Sequence, residues 1–205
     1  MLELESPAGP ARVYLHAADR QRAWLLLGHG AGGGVEAPDL VAVRGVALAE
    51  GVGVGLVEQP YRVAGRRSPA PAARLDAAWV AVVSRVRERE LRGLPLLVGG
   101  RSSGARVACR TAAITDAVAV VCLAFPLQPP RRSGAAPAPS RLPELDAVEV
   151  PTLVVQGTRD PFGMPPAGDR RVVVEVPSDH SLKADLPAVA AAVQSWLSEL
   201  LGASG

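Results

Sequence analysis

Residues Pro95–Ala108 read PLLVGGRSSGARVA, an apolar run that passes through glycine and serine into a helical pattern. The run predicts a buried strand over Pro95–Gly100, and the residues after the serines predict a helix over Ser103–Ile114. Between the two elements stands Gly-x-Ser-x-Gly, centred on Ser102, in a context typical of a sharp turn that lifts a serine hydroxyl above a sheet. The glycines on either side of the serine let strand and helix pass closely. The stretch therefore indicates Ser102 as a candidate nucleophile.

Short apolar runs alternate with helical patterns on both sides of this turn. Further strands are predicted at Ala11–Ala18, Ala23–Gly28, Val52–Gln59, Ala117–Phe125, Pro151–Gly157 and Arg170–Pro177. Further helices are predicted from Pro38 to about Glu50, from Ser68 to Gly93 and from Asp185 to about Leu200. Such alternation predicts an α/β fold with a mostly parallel central sheet of about seven or eight strands and helices on both faces. We expect one domain over residues 1–205, with one or two antiparallel strands at the N-terminal edge of the sheet.

An acidic residue and a histidine follow the last two predicted strands. Asp160 comes shortly after the first of these strands, and His180 comes shortly after the second. The carboxyl ends of parallel strands meet at one edge of a sheet, which brings both side chains to the edge that carries Ser102. Asp169 and Asp179 are rivals for the acid, but Asp179 is adjacent to the histidine, and adjacent side chains rarely adopt the required geometry. The order Ser, Asp, His along the chain is typical of a nucleophile, an orienting acid and a base.

A second glycine-rich stretch, AWLLLGHGAGGGVEAPDL, spans Ala23–Leu40 and has two interpretations. Its GHGAGG fits the G-x-G-x-x-G loop that binds a dinucleotide pyrophosphate, and it also fits a loop whose backbone N–H groups stabilise an oxyanion. In a dinucleotide loop the helix begins within the glycines, whereas here Pro38 and Asp39 mark a helix start several residues later. The sequence therefore favours the oxyanion loop, with the N–H of Ala31 as one donor and that of Ser103 as the other.

Four stretches together, LGHGAGG, GGRSSGAR, QGTRDPFG and DHSLK, resemble the α/β-hydrolase superfamily. Within it the chain is similar to small predicted hydrolases related to testis-expressed protein thirty, to the hydrolase-like domain of an NSL-complex subunit and to dienelactone hydrolases. The resemblance implies an α/β-hydrolase fold without a large cap domain. It also implies Ser102 as nucleophile, His180 as base, Asp160 as the acid that orients the base, and Ala31 and Ser103 as oxyanion donors. Dienelactone-hydrolase relatives often carry cysteine as the nucleophile, where this chain has serine.

These residues predict a serine hydrolase that cleaves an ester or thioester of a small acyl substrate through an acyl-enzyme intermediate. The predicted chemistry requires no organic cofactor and no metal. The alternative is a domain that keeps the fold without turnover and serves as an interaction or ligand-sensing module. Pro126–Val150, rich in proline and small residues, is expected to be a long loop within the domain and is the one candidate cover for the site.

Several polar residues are expected on the rim of the predicted site. Tyr61 and Arg62 follow a predicted strand, and Arg101 lies inside the Gly-x-Ser-x-Gly turn. The simpler interpretation is that the arginines are solvated loop residues. The other is that they bind an anionic group of the substrate, such as a carboxylate or phosphate, for which arginine is well suited. We therefore include Tyr61, Arg62 and Arg101 as candidate substrate-binding residues.

Length and composition limit the other functional classes. The chain has 205 residues, 48% of them hydrophobic, and a formal net charge of +2 with scattered basic residues, which argues against a nucleic-acid partner. Cys109 and Cys122 form no metal-ligand spacing with the three histidines, so both are expected to be buried apolar residues. The N-terminal residues lack the features of a secretory signal, and no run approaches about 18 apolar residues. A cytoplasmic protein without a membrane span is expected.

Overall fold

The computed structural model describes residues 1–91, 93–130, 134, 136 and 138–202. Within them one sheet contains the strands β1 (Leu2–Leu4), β2 (Ala11–His16), β3 (Ala23–Gly28), β4 (Val52–Glu58), β5 (Leu96–Arg101), β6 (Ala119–Leu123), β7 (Thr152–Gly157) and β8 (Arg171–Val176). Their order is β1-β2-β4-β3-β5-β6-β7-β8. Neighbours from β4 to β8 pair parallel, whereas β2 pairs antiparallel with β4 and with β1. The predicted mostly parallel sheet with antiparallel strands at its N-terminal edge is confirmed.

Helices cover both faces of this sheet, as predicted. They are α1 (Pro38–Ala49), α2 (Pro60–Val63), α3 (Ala72–Val86), α4 (Ser103–Thr111), α5 (Leu142–Asp146) and α6 (Leu186–Gly202). The buried residues of α1 and α6 form one core layer, and those of α3, α4 and α5 form the other. Along β3, Trp24 and Leu26 belong to the layer of α3, whereas Leu25 and Leu27 belong to the layer of α1. Burial on both faces explains why this strand is a continuous apolar run.

The start of α3 differs from the prediction. The helix begins at Ala72, not near Ser68, because a residue that precedes proline is disfavoured in the α conformation and Pro71 follows Ala70. Its far end continues as a π-helical turn over Arg87–Leu91. The apolar stripe of the sequence thus predicted the buried face of the helix, while the second proline set its first turn.

Short elements escaped the sequence patterns. The helices α2 and α5 and the strand β1 have three to five residues each, too few for a periodicity to show. The helix α4 ends at Thr111, one turn before the predicted Ile114, and the side-chain hydroxyl of Thr111 donates to the carbonyl of Val107. Inside the predicted loop Pro126–Val150, α5 packs against α4, while residues 131–133, 135 and 137 lie outside the described residues.

Two smaller expectations concern the cysteines and the membrane. Cys109 and Cys122 are buried and free, with their sulfur atoms 3.4 Å apart, as the prediction of buried apolar residues requires. Among the described helices, none combines the length and the apolar character that crossing a bilayer requires.

The turn between β5 and α4 depends on glycines whose backbone atoms contact the end of the neighbouring strand β3. A Cβ at Gly104 would lie 2.5 Å from the carbonyl carbon of Gly28 at the end of β3 and would overlap the Gly28 carbonyl oxygen. A Cβ at Gly100 would also overlap that oxygen and would lie 2.8 Å from the carbonyl carbon of Gly104. Backbone therefore touches backbone here, and α4 can begin directly above the sheet only because these positions lack side chains.

We expect Gly104→Ala to destabilise the protein by about 3 kcal/mol, because rigid backbone, and not a movable side chain, must give way. The matched control is Gly45→Ala in α1, where a new Cβ meets nothing within 4 Å. That exposed helical position should gain about 0.5–1 kcal/mol from the better helix former. Urea unfolding of both variants measures the two effects. Equal effects of the two substitutions would refute the close contact between α4 and β3.

Candidate active site

Ser102 stands on a strained turn between β5 and α4. Its φ is 51° and its ψ is −108°, a region that side-chain-bearing residues rarely adopt. Its N–H donates to the carbonyl of Leu123 at the end of β6, with an N–O distance of 2.9 Å, which holds the turn against the sheet. Such a conformation costs about 1–3 kcal/mol and persists only where its surroundings impose it. The sequence pattern predicted this turn.

Three side chains from distant parts of the chain form a continuous hydrogen-bonded row. Nε2 of His180 is 2.9 Å from Oγ of Ser102, and Nδ1 of His180 is 2.8 Å from Oδ2 of Asp160. A carboxylate oxygen accepts, so Nδ1 carries the proton of the neutral ring and Nε2 is left to accept from the serine hydroxyl. The Asp160 side chain is fully buried, whereas that of His180 is 20% exposed. The row can move a proton from the serine to the imidazole beside a buried negative charge.

Neighbouring groups fix Asp160 on three sides. Its Oδ1 accepts from the N–H of Phe162, and its Oδ2 accepts from Nε2 of Gln156 as well as from His180. Nε2 of Gln156 also lies 3.1 Å from the carbonyl of Phe125 and 2.9 Å from that of Gly163. Because all three neighbours are acceptors, the amide nitrogen must face them, and the orientation of this side chain is determined.

The rival acids lie elsewhere. Asp179 turns into its own loop, where Oδ1 accepts from the N–H and the hydroxyl of Ser181. Asp169 is exposed and precedes β8, at the edge of the sheet opposite to His180. Neither Asp169 nor Asp179 therefore reaches the imidazole in place of Asp160.

The imidazole also has an aromatic neighbour. The ring of Phe162 covers the imidazole of His180 with 4.4 Å between ring centroids.

The glycine-rich loop after β3 lies against the serine turn. A side chain at Gly30 would begin 3.7 Å from Cβ of Ser102, so no side chain separates this loop from the nucleophile candidate. Among the described residues, neither the N–H of Ala31 nor that of Ser103 donates to a backbone or side-chain acceptor. The helix α1 begins at Pro38, so the glycines do not form the first turn of a helix as they would in a dinucleotide site.

Buried polar groups brace the loop from below. Nδ1–H of His29 donates to the carbonyl of Gly30 at 2.8 Å, and the N–H of Gln59 donates to Nε2 of His29 at 3.1 Å. The hydroxyl of Tyr61 donates to the carbonyl of Ala31 at 2.8 Å. Burial raises the pKa of Tyr61 to about 12, so its hydroxyl remains a donor at neutral pH. The conformation of the loop thus depends on a neutral histidine and a protonated tyrosine.

We expect acid to weaken this brace. Burial lowers the pKa of His29 below its usual 6.5, so the unfolded chain takes up a proton at a pH where the native protein does not. The stabilisation by His29 is therefore present at neutral pH and is lost as the pH falls through about 6.5, by at most about 1.4 kcal/mol per pH unit. Urea unfolding of the wild type and of His29→Gln at about pH 8 and about pH 5 should show a smaller difference between them in acid. A difference that does not change with pH would contradict the prediction.

The predicted substrate-binding residues occupy different surroundings. Arg101 is engaged inside the protein: its Nε is 3.0 Å from Oδ2 of Asp39, and its Nη2 donates to the carbonyl of His180 at 3.0 Å. The Tyr61 hydroxyl is engaged by the carbonyl of Ala31 in the glycine-rich loop. Arg62 is half-buried, and its Nη1 donates to the carbonyl of Arg66 at 3.3 Å. Of the three, Arg62 alone has no side chain or loop of the site as its partner in the described part of the chain.

Sequence reasoning missed three residues that hold the site together. Gln156 interrupts the apolar run of β7 with a fully buried polar side chain, and that interruption is the signal that could have revealed it. Asp39 is buried beneath the turn, whereas the sequence pattern indicates only that a helix starts there. Phe162 packs on the imidazole of His180, and no sequence pattern connects the two residues.

Solved structures of α/β hydrolases superpose on nearly the whole chain. A serine hydrolase without a lid from Xanthomonas campestris has a TM-score of 0.74 at 18% identity, with 97% of this chain and 93% of that chain covered. Est1E from Butyrivibrio proteoclasticus, with ferulic acid bound, has a TM-score of 0.79 at 16% identity, with 98% and 100% covered. Dienelactone hydrolase from Anabaena variabilis has a TM-score of 0.74 at 18% identity, with 97% and 95% covered. The fold is the predicted α/β-hydrolase fold, and the described residues contain no cap domain.

The comparison with protein families agrees with the structural likeness. A family model described as an alpha/beta hydrolase domain matches residues 21–185, which run from the strand β3 through β8 and contain Ser102, Asp160 and His180. No curated protein is similar enough to the chain to count as a match. Because the family model spans most of the sequence, the chain belongs to the family of alpha/beta hydrolase domains.

Proposed function

We propose that residues 1–205 form a serine hydrolase domain that cleaves an ester or thioester of a small acyl substrate through an acyl-enzyme intermediate. Ser102 is the nucleophile, His180 the base and Asp160 the acid that orients it. The observation that carries the proposal is the unbroken row from Asp160 to His180 to Ser102, on a serine whose backbone is held at a φ of 51°. Structural turns and solvent-exposed histidines have no need of such an arrangement.

In the proposed first step, His180 Nε2 takes the hydroxyl proton while Oγ of Ser102 attacks the carbonyl carbon of the substrate. The carbonyl oxygen becomes negative and accepts from the N–H groups of Ala31 and Ser103, aided by the positive end of α4. The C–O or C–S bond then breaks, and the imidazolium gives its proton to the leaving group. Water, deprotonated by the same imidazole, releases the acid and restores the serine.

The substrate class rests on how little of the chain could cover the site. Gln128 N–H donates to the carbonyl of Phe162, so the loop that begins at Pro126 runs beside the ring that packs on His180. No inserted cap domain stands over the edge of the sheet in the described residues. An open site favours small or exposed acyl groups, because extended acyl chains gain affinity from enclosing apolar walls.

The test combines labelling and kinetics. A fluorophosphonate should add once to the wild type, at the peptide that contains Ser102, and should not add to Ser102→Ala. p-Nitrophenyl esters and acyl thioesters of increasing acyl length should then be turned over, and those whose good leaving group makes acylation faster than deacylation should show a burst of the first product. Failure to label together with failure to turn over any acyl donor would overturn the proposal and leave the interaction or ligand-sensing domain.

Arg62 supplies a prediction about substrate charge. Arg101 is held by Asp39, which leaves Arg62 as the rim arginine able to meet an anionic substrate. We expect a succinate half-ester to exceed the matched butyrate ester in kcat/KM by about threefold to fivefold, as one partly exposed charge pair allows. Arg62→Ala should abolish this preference, whereas Arg67→Ala, an exposed neighbour, should keep it. Equal rates for both esters in the wild type would exclude an anion subsite at Arg62.

A further inference from the structure

The side chain of Arg101 lies beneath the candidate site and not in front of it. Arg101 ends β5 and directly precedes Ser102, and its side chain is only 19% exposed. Nε is 3.0 Å from Oδ2 of Asp39, the second residue of α1, and Nη2 donates to the carbonyl oxygen of His180 at 3.0 Å. The guanidinium thus connects the first turn of α1 with the main chain of His180.

A third segment rests on the same guanidinium. A Cβ at Gly30 would lie only 2.6 Å from Nη1 of Arg101, so the oxyanion loop passes directly over the group where it lacks a side chain. The nucleophile turn, the oxyanion loop and the histidine loop therefore all meet at one planar cation. Each carries a different component of the proposed mechanism, and their relative positions decide whether the atoms can react.

Asp39 anchors this cation from within the protein. The residue is 1% exposed, and its Oδ1 accepts from the N–H of Leu40 in the first turn of α1. Burial raises the pKa of Asp39, and the charge of Arg101 opposes that rise. The contact is a close ion pair and not an aligned hydrogen bond, since Oδ2 makes no directional bond in the described residues. A buried pair of this kind adds little to stability by itself but fixes the positions of both partners.

The contacts also favour positioning over the substrate-binding role that the sequence suggested for Arg101. Two of its donor groups face Asp39 and His180, and the third faces Gly30. A substrate carboxylate that bound the guanidinium through two donors would have to displace Asp39 or the carbonyl of His180, because every pair of adjacent donors includes Nε or Nη2. The bond to His180 is made with the main chain, so it controls where the ring stands relative to Ser102. Misplacement of a reacting group by about 1 Å can cost about 10²-fold in rate.

We propose that Arg101, anchored by Asp39, is a positioning residue that holds the histidine loop and the oxyanion loop in register with Ser102. The proposal rests on the proposed function for its consequence in catalysis, but its structural part stands independently of turnover. Lysine cannot replace arginine fully here, because an ammonium cannot span two partners in a fixed plane.

The kinetic test compares Arg101→Met and Arg101→Lys with Arg106→Met. Arg106 in α4 has a side chain of similar exposure and forms an ion pair with Glu144, outside the site, so Arg106→Met reports the cost of removing a partly buried, paired arginine. Arg101→Met should lower kcat by about 10²-fold with KM within about twofold, and Arg101→Lys by about tenfold, while Arg106→Met keeps kcat. A raised KM with unchanged kcat would instead assign substrate binding to Arg101, and equal kcat losses in all three would refute positioning.

A second measurement separates this proposal from the function itself. Hydrogen exchange of residues 178–182 and 29–34 should accelerate about tenfold in Arg101→Met and in Asp39→Asn. In the control Arg106→Met, the exchange rates of both segments should stay at the wild-type values. Asp39→Asn combined with Arg101→Met should be no slower in turnover than Arg101→Met alone, because Asp39 acts through the arginine. If the wild type neither labels nor turns over, the exchange result still decides: unchanged protection of both loops overturns the positioning role.

Discussion

Replacing Ser102 with alanine is expected to lower kcat for the best ester by about 10⁴–10⁶-fold while the fold is retained. His180 Nε2 lies 2.9 Å from the Ser102 hydroxyl, and the proposed mechanism passes every acyl group through that oxygen. Some rate above that in water should remain, because the oxyanion donors still bind the carbonyl and the histidine can still activate a water. Steady-state kinetics measures the loss, with the active sites of the wild type counted by titration.

Stability should change in a way that identifies the strained turn. Alanine at position 102 keeps the φ of 51° without relief, so its free energy of unfolding should stay within about 0.5 kcal/mol of the wild type. Ser102→Gly should be equally inactive but more stable by about 1–2 kcal/mol, because glycine adopts positive φ freely. A Ser102→Gly protein that is more stable than the wild type but inactive would show that the wild type sacrifices stability to hold the Ser102 hydroxyl in position.

The neighbouring serine provides the matched control. Ser103→Ala removes a hydroxyl but keeps the backbone N–H that is the proposed oxyanion donor, so kcat should fall by less than about threefold. Retention of activity in Ser102→Ala together with its loss in Ser103→Ala would contradict the assignment of the nucleophile. It would also require the hydroxyl to act from the first residue of α4, where the helix and not the turn positions it.

The fold was predictable because long apolar runs and helical stripes dominate the chain. Burial of β3 on both faces made AWLLLG continuous, and the stripe of α3 matched its buried side chains, including Leu75, Trp79 and Val86. The order of strands across the sheet came only from the structure. Elements of three to five residues escaped, since hydrogen bonds and packing with distant segments stabilise them and no period records such contacts.

The parts of the candidate site that follow strand ends were predictable. The buried side chains that support these parts from inside the protein were not. The places of Asp160 and His180 after β7 and β8 predicted that both side chains lie near Ser102, and the structure brings the three together. Gln156, Asp39 and the guanidinium of Arg101 hold the site through contacts between residues 4 to 79 positions apart. A linear pattern cannot express whether an arginine in a turn points toward substrate or back toward a buried acid, and Arg101 turns back.

Replacing Asp160 with asparagine is expected to lower kcat by about 10³-fold, and Gln156 determines why the loss is no larger. The amide must place its oxygen at one of two positions. With the oxygen at the Oδ2 position, it accepts from both Gln156 Nε2 and His180 Nδ1. The amide nitrogen then occupies the Oδ1 position, where its N–H groups face one other donor, the N–H of Phe162. With the oxygen at the Oδ1 position, the amide nitrogen meets the Gln156 donor and forces the wrong histidine tautomer. The first orientation is favoured, so the tautomer survives while the negative charge is lost.

Gln156→Met tests this argument, because it removes the donor at Oδ2 with little change in volume. Alone it should cost less than about tenfold in kcat, since the carboxylate still accepts from His180 and Phe162. In the Asp160→Asn background, Gln156→Met allows the amide oxygen to turn to the N–H of Phe162. The histidine tautomer is then reversed, so kcat should fall by a further factor of about ten or more, toward the about 10⁴-fold loss that a reversed tautomer causes. Strictly additive effects of the two substitutions, or a loss for Asp160→Asn already as large as for Asp160→Ala, would show that Gln156 does not orient the acid.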